Sequence, residues 1–187
     1  MRSARDGSGD GVVIRPARVA DHDAVEAVVR AAFPTPAEAA LVAALRAAGD
    51  AVVSLVAERC TPGDAGGVVG HVLFSPVTVL PRDGVRTACG LGLAPLAVAP
   101  PAQRRGIGGA LVRAGLDACR ARGSGFVVVL GDPAYYARFG FMRASDAGVG
   151  NEYGADAEFM LLELVPDALP PGGGLARYAP AFADLPG

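Results

Sequence analysis

One stretch limits the possible folds more than any other. Leu91 to Val98 is an apolar run, and Pro100-Pro101 ends it. Gln103-Arg104-Arg105-Gly106-Ile107-Gly108-Gly109 follows and opens a helical pattern that continues to about Arg122, where Gly123 stops it. Next comes Phe126-Val127-Val128-Val129-Leu130, apolar at every position, as expected of a strand buried on both faces. Strand, helix and strand in this order make a βαβ unit, with its two strands parallel and joined by a right-handed crossover. Pro95 lies inside the first strand and cannot donate to a ladder, so it marks a bulge or a gap in pairing.

The rest of the chain reads as mostly antiparallel. Val12 to Arg15 is a short β-branched run stopped by Pro16. Asp21 is placed to cap a helix with apolar positions at Val25, Val28, Val29 and Ala32. A second helix spans Ala37 to Ala48, with Ala40, Leu41, Ala44 and Leu45 on one face and Gly49 closing it. Ala51 to Cys60 and Val68 to Leu80 are strand-like, the second bent near Ser75-Pro76, and the turn clusters 61–67 and 81–84 flank them. After Leu130, Asp132 caps a short helix with Pro133 at its first position, and Gly140 ends it. Phe141 begins a strand and Ala157 to Val165 supplies the last. The expectation is a mixed α/β (α+β) domain over residues 12–165, with about seven strands and four helices. Residues 1–11 read as a loose arm, and the Pro/Gly-rich residues 166–187 as a tail that lies over the body.

Composition narrows the chemistry. The net charge of −2 gives no bulk attraction to nucleic acid. No apolar run reaches the length of a membrane span, and no signal-peptide pattern opens the chain. All 17 basic residues are Arg, which removes every mechanism that needs a lysine. Cys60, Cys89 and Cys119 are three widely spaced cysteines without a CxxC pair, which argues against a disulfide framework or a zinc site. A reduced, cytoplasmic setting follows, with no metal and no membrane partner expected.

The loop-to-helix junction is the strongest chemical signal. Gly106, Gly108 and Gly109 strip side chains from a backbone whose first helical N–H groups carry partial positive charge. Such a site suits a phosphate or pyrophosphate, and Arg104 and Arg105 add charge. A Walker loop needs a lysine that is missing. A dinucleotide fingerprint needs Gly at position 111, which is Leu. By itself, a glycine-rich helix start also fits a tight packing loop.

Two motifs at matching spacing go further. Val98-x-Pro100 followed by Gln103-Arg104-Arg105-Gly106-Ile107-Gly108 resembles the coenzyme A-binding pattern Q/R-x-x-G-x-G/A of the GCN5-related N-acetyltransferases. Asp132-Pro133-Ala134-Tyr135-Tyr136-Ala137-Arg138-Phe139-Gly140-Phe141 resembles that family's short fourth helix and Gly-Phe. In this form it is similar to a bacterial subgroup of YhbS-like predicted acetyltransferases. The resemblance covers most of the chain and implies transfer of an acetyl group from acetyl-CoA to a primary amine within a ternary complex. It implies that backbone amides of Arg104, Arg105, Gly106, Ile107, Gly108 and Gly109, with Gln103 at their head, hold the pyrophosphate. The backbone of Leu96, Ala97 and Val98 then pairs with the pantetheine arm where the two parallel strands splay, and the Val98 N–H is the candidate oxyanion donor. Tyr136, four residues before the Gly-Phe, is the implied proton donor to the leaving thiolate, and Tyr135 packs or walls the substrate.

The general base is open among Glu26, Glu38, Asp132, Glu152, His71 and bulk water, with Asp132 read first as a helix cap and His71 first as a packed or solvent-facing histidine. The acceptor, a small-molecule or a protein amine, stays open, as does a homodimer of the kind common among relatives. A non-catalytic acyl-CoA sensor, a longer acyl group and transfer to oxygen are the competing readings.

Overall fold

The computed structural model describes residues 11–60, 66–82, 84 and 86–184. The loose arm expected over residues 1–11 lies, but for Gly11, outside the described residues, as does most of the turn at 61–67. Among the described residues nine strands form one sheet: β1 (Val12–Pro16), β2 (Val53–Arg59), β3 (Val68–Pro81), β4 (Ala88–Val98), β5 (Phe126–Leu130), β6 (Met142–Arg143), β7 (Val149–Asn151), β8 (Phe159–Glu163) and β9 (Gly174–Tyr178). Their order is β1-β2-β3-β4-β5-β8-β6, with β9 beside β3 and β7 beside β9. The helices are α1 (His22–Ala32), α2 (Ala37–Ala48), α3 (Ile107–Ala121) and α4 (Pro133–Tyr136).

The sheet buries both faces, because β2 and β3 send alternate side chains to opposite sides. Leu55, Val72 and Phe74 join the cluster under α3, with Leu111, Val112 and Leu116. Val56 and Leu73 join the cluster under α1 and α2, with Val25, Val29, Leu41 and Leu45. The buried stripe of α2 is Ala39, Leu41, Val42 and Leu45, one step round from the Ala40/Ala44 face that the sequence suggested, because the larger Val42 takes the inward place. Gly49 closes that helix in the left-handed region, at φ 79°. Asp21 does not cap α1 with its side chain. It instead takes both Arg15 guanidinium nitrogens at 2.7 and 2.9 Å and the Arg18 N–H at 2.7 Å.

β4 is the element that shapes the site. It is parallel to β5, but their pairing covers only Leu91 with Val127 and Gly92 with Val128. Beyond Gly92 the two strands diverge. On the other side of β4, Val72 faces Leu96 and Phe74 faces Leu93, so Leu73 alone opposes Ala94 and Pro95. That is a bulge, placed where Pro95 lacks an N–H. The bend expected at Ser75-Pro76 is therefore displaced: Pro76 pairs in register with Leu91, and the irregularity lies at Leu73.

The segment read as a tail is corrected in part. Asp167, Gly172 and Gly173 take positive φ and turn the chain back. Gly174–Tyr178 then adds β9 to the sheet, antiparallel to the second half of β3, and the 3-10 turn Pro180–Asp184 seats Phe182 beneath α2.

Candidate active site

The divergence of β4 from β5 opens a cleft at the start of α3. Strand alternation decides which backbone groups face it. The Ala99 N–H donates to the Val69 carbonyl of β3 at 2.9 Å, and His71 pairs with Ala97. Odd positions of this part of β4 are thus turned to β3, while the amides and carbonyls of Leu96 and Val98 are turned to the open edge. The Gln103 side-chain amide donates to the Val98 carbonyl from outside at 3.0 Å and braces the loop against the strand. Ala97 is buried with its side chain under α1 and α2, so neither its methyl nor its ladder groups face the cleft.

The loop itself presents amides. Arg104 has φ 61° and Gly106 φ 82° at the N-cap, a pairing that turns successive N–H groups to one side. Gly106 offers no side-chain cap, and the Ala110 N–H closes the first turn on the Gly106 carbonyl at 3.0 Å. The amides of Ile107, Gly108 and Gly109 precede that bond and have no carbonyl within the helix. A Cβ on Gly108 would stand 2.9 Å from the Tyr135 hydroxyl and within 4 Å of Val98 and Leu96 side chains, so glycine keeps this cradle open.

A cavity of about 500 Å³ fills the space, walled by Leu96, Val98, Ala102, Gln103, Arg104, Gly106, Ile107, Gly108, Gly109, Arg113, Tyr135, Arg138 and Phe139. Its charged walls are Arg104, Arg113 and Arg138, all cationic. Arg105 is exposed and stands outside the wall. Arg113 and Arg138 are absent from the sequence-derived set; Arg113 alone was accessible to pattern reasoning, since it lies one helical turn beyond Gly109 and a Cβ on Gly109 would touch it. Arg138 lies over the Tyr135 ring at 4.3 Å from its centre and donates to the Tyr135 carbonyl at 3.1 Å.

A second cavity of about 370 Å³ adjoins the first and shares Leu96 and Tyr135 with it. Phe33 at the end of α1, Glu38 and Leu41 from α2, Leu93, Ala94 and Pro95 from β4, and Val129, Leu130, Gly131, Asp132 and Tyr136 enclose it. The Asp132 carboxylate accepts the Ala134 N–H at 2.9 Å, so it caps α4, with Pro133 at the first position. Tyr136 is 8% exposed, edge-on to Tyr135 at 5.0 Å and to Phe141 at 5.6 Å. Burial, with the neighbouring Tyr135 phenol adding to it, pushes its pKa well above the ordinary phenol value.

The other candidate bases lie elsewhere. Glu26 pairs with Arg30 at 2.8 Å on the exposed side of α1, and Glu152 pairs with Arg177 between β7 and β9. His71 is fully buried under α1 and α2 and lines neither cavity, with Ser54 Oγ 3.0 Å from its Nε2.

A parting parallel strand pair, an amide-lined helix start and a tyrosine at the junction are what the family pattern requires. Residues 13–144 match the acetyltransferase (GNAT) domain, and the chain belongs to the GCN5-related N-acetyltransferase family. It is 38% identical to the uncharacterized N-acetyltransferase YhbS of Escherichia coli K12 over 163 residues, 87% of this chain and 93% of the relative. A crystal structure of E. coli YhbS in complex with CoA superposes with a TM-score of 0.86 at 35% identity, covering 98% of each chain. A GNAT family acetyltransferase from Brucella melitensis, solved with acetyl-CoA, gives 0.73 at 35% identity over 93% of this chain and 99% of that one.

Proposed function

We propose that this enzyme transfers the acetyl group of acetyl-CoA to a primary amine by direct attack within a ternary complex. One observation supports the reading above the others: two cavities meet at Leu96 and Tyr135, one walled by arginines and open amides, the other by carbon and carboxylates. The first suits an anionic carrier and the second a cationic acceptor. The diphosphate of acetyl-CoA lies on the amides from Arg104 to Gly109, with Arg104, Arg113 and Arg138 around it. Its pantetheine arm runs along the open edge of β4 and pairs with the outward groups of Leu96 and Val98. The crystallised relatives with CoA and acetyl-CoA support this placement.

The thioester then stands at the junction. The bound ammonium first gives a proton to solvent; the neutral amine then attacks the carbonyl carbon, and the Val98 N–H, turned to the open edge, stabilises the oxyanion. The carbon–sulfur bond breaks, the thiolate takes a proton from the Tyr136 hydroxyl, and the amine releases one to solvent. Tyr136 recovers its proton from water. Much of the rate comes from holding amine and thioester in line. Among the described residues no helix is long and apolar enough to cross a membrane, and we place the enzyme in the cytoplasm.

Calorimetry with CoA, coupled to a free-thiol assay with acetyl-CoA and primary amines, tests the proposal. CoA binds the wild type, and amine-dependent thiol release follows. Gly108→Ala weakens CoA at least about ten-fold, because the new methyl enters the cradle beside Tyr135, while helix propensity keeps α3 intact. A wild-type protein that shows no heat with CoA overturns the reading.

A further inference from the structure

The second cavity carries information about the acceptor. Its wall is carbon from Phe33, Leu41, Leu93 and Leu130, and the charged residues among its lining are Glu38 and Asp132, with no basic residue. Asp132 is already committed to the Ala134 N–H. Glu38 stands in the first turn of α2, three residues before Leu41, so the same helical face brings both to the cavity. The Thr35 hydroxyl donates to one Glu38 oxygen at 3.3 Å and leans the carboxylate toward the start of the helix. Tyr136 lines the same cavity.

On the reading above, which this rests on, we infer that the acceptor is a small monoamine on an apolar body, its ammonium received by Glu38. One available carboxylate answers one positive charge. A polyamine would bring further ammonium groups into a carbon wall with nothing to pair them, at a desolvation cost. An amino acid would set its own carboxylate beside Glu38 and Asp132 without a counter-charge. A peptide would need a partner for each backbone N–H and C=O, and carbon offers none. An alkyl or arylalkyl amine meets all three conditions. Its body is held by the leucines and Phe33, and its nitrogen is directed to the junction where Tyr136 stands. Glu38 is thus a specificity-determining residue, separate from the groups that hold the diphosphate.

The test uses the full chain saturated with CoA, so that acceptor binding is read without turnover. n-Hexylamine, 2-phenylethylamine, spermidine, leucine and a leucine-headed tripeptide are titrated by calorimetry. The two monoamines bind at least about ten-fold tighter than the other three. Glu38→Gln weakens n-hexylamine by about ten-fold, the scale of a hydrogen bond to a charged group, and leaves CoA affinity unchanged. In turnover with acetyl-CoA the same variant loses kcat/KM chiefly through KM. Tighter binding of spermidine, leucine or the tripeptide overturns the inference, as does an unchanged n-hexylamine affinity in Glu38→Gln. Absence of CoA binding is a different failure: it removes the acetyltransferase reading, and the acceptor assignment with it.

Discussion

His71 is held between Val56 of β2 and Ala97 of β4 with no exposed surface. Burial, and then the positive charge of Arg46, lower its pKa to about 3. A depressed histidine binds its proton in the unfolded chain first, so stability is complete above the unfolded pKa and falls as pH drops through the interval below it. Unfolding free energies from urea titrations should fall between about pH 6.5 and pH 3 with a slope approaching about 1.4 kcal/mol per pH unit, and His71→Gln should flatten that slope. Equal slopes in both proteins would count against a neutral His71. The shift at Tyr136 is the opposite: its raised pKa keeps it a phenol throughout the working range, as the proposed proton donation requires. Tyr136→Phe should bind CoA normally and lower kcat about 100-fold, measured by thiol release at saturating amine. Tyr136 was visible in the sequence through its distance to Gly140-Phe141, and Gly106 and Gly108 through their place at a helix start. Arg138 was not, because its work depends on stacking over Tyr135, which spacing does not report.

α3 combines two duties on opposite ends of its first three turns. Gly108 leaves room for a ligand, whereas Gly115 leaves room for the protein itself: a Cβ there would strike the ring of Phe74, which has no exposed surface. Gly115→Val should destabilise the fold by about 1–3 kcal/mol with CoA affinity kept in the folded fraction, read from denaturant midpoints and calorimetry. The elements easiest to find in the sequence were those with strong periodicity or unbroken apolar runs, α3 and β5 among them. The splay of β4 was expected from the family resemblance and Pro95, and the pairing stops after Gly92. β7 and β9 were not found, because segments of three and five residues among glycines and prolines have no period of their own. The strand character of β9 comes from β3, which offers its second half as a ladder, and that of β7 comes from β9.

The molecule sorts its charges between the two cavities. Three arginines wall the first cavity and two carboxylates the second, although the chain as a whole is only −2. The walls of the second cavity, the proposed acceptor site, include residues of α2, β4 and α4, and the cluster beneath α2 includes Ala179 and Phe182 from beyond β9. Phe182→Ala should therefore cost about 3 kcal/mol or more and raise KM for the amine more than for acetyl-CoA, as steady-state kinetics with each substrate varied would report. Synthesis gives this arrangement a schedule. The amides proposed to grip the carrier are complete once β5 has been made, but Phe182 leaves the ribosome some fifty residues later than Leu130. The nascent chain thus carries the proposed CoA-holding amides, and soon after them Tyr135 and Arg138, before the floor under α2 exists, and on this reading competence toward the acceptor arrives last.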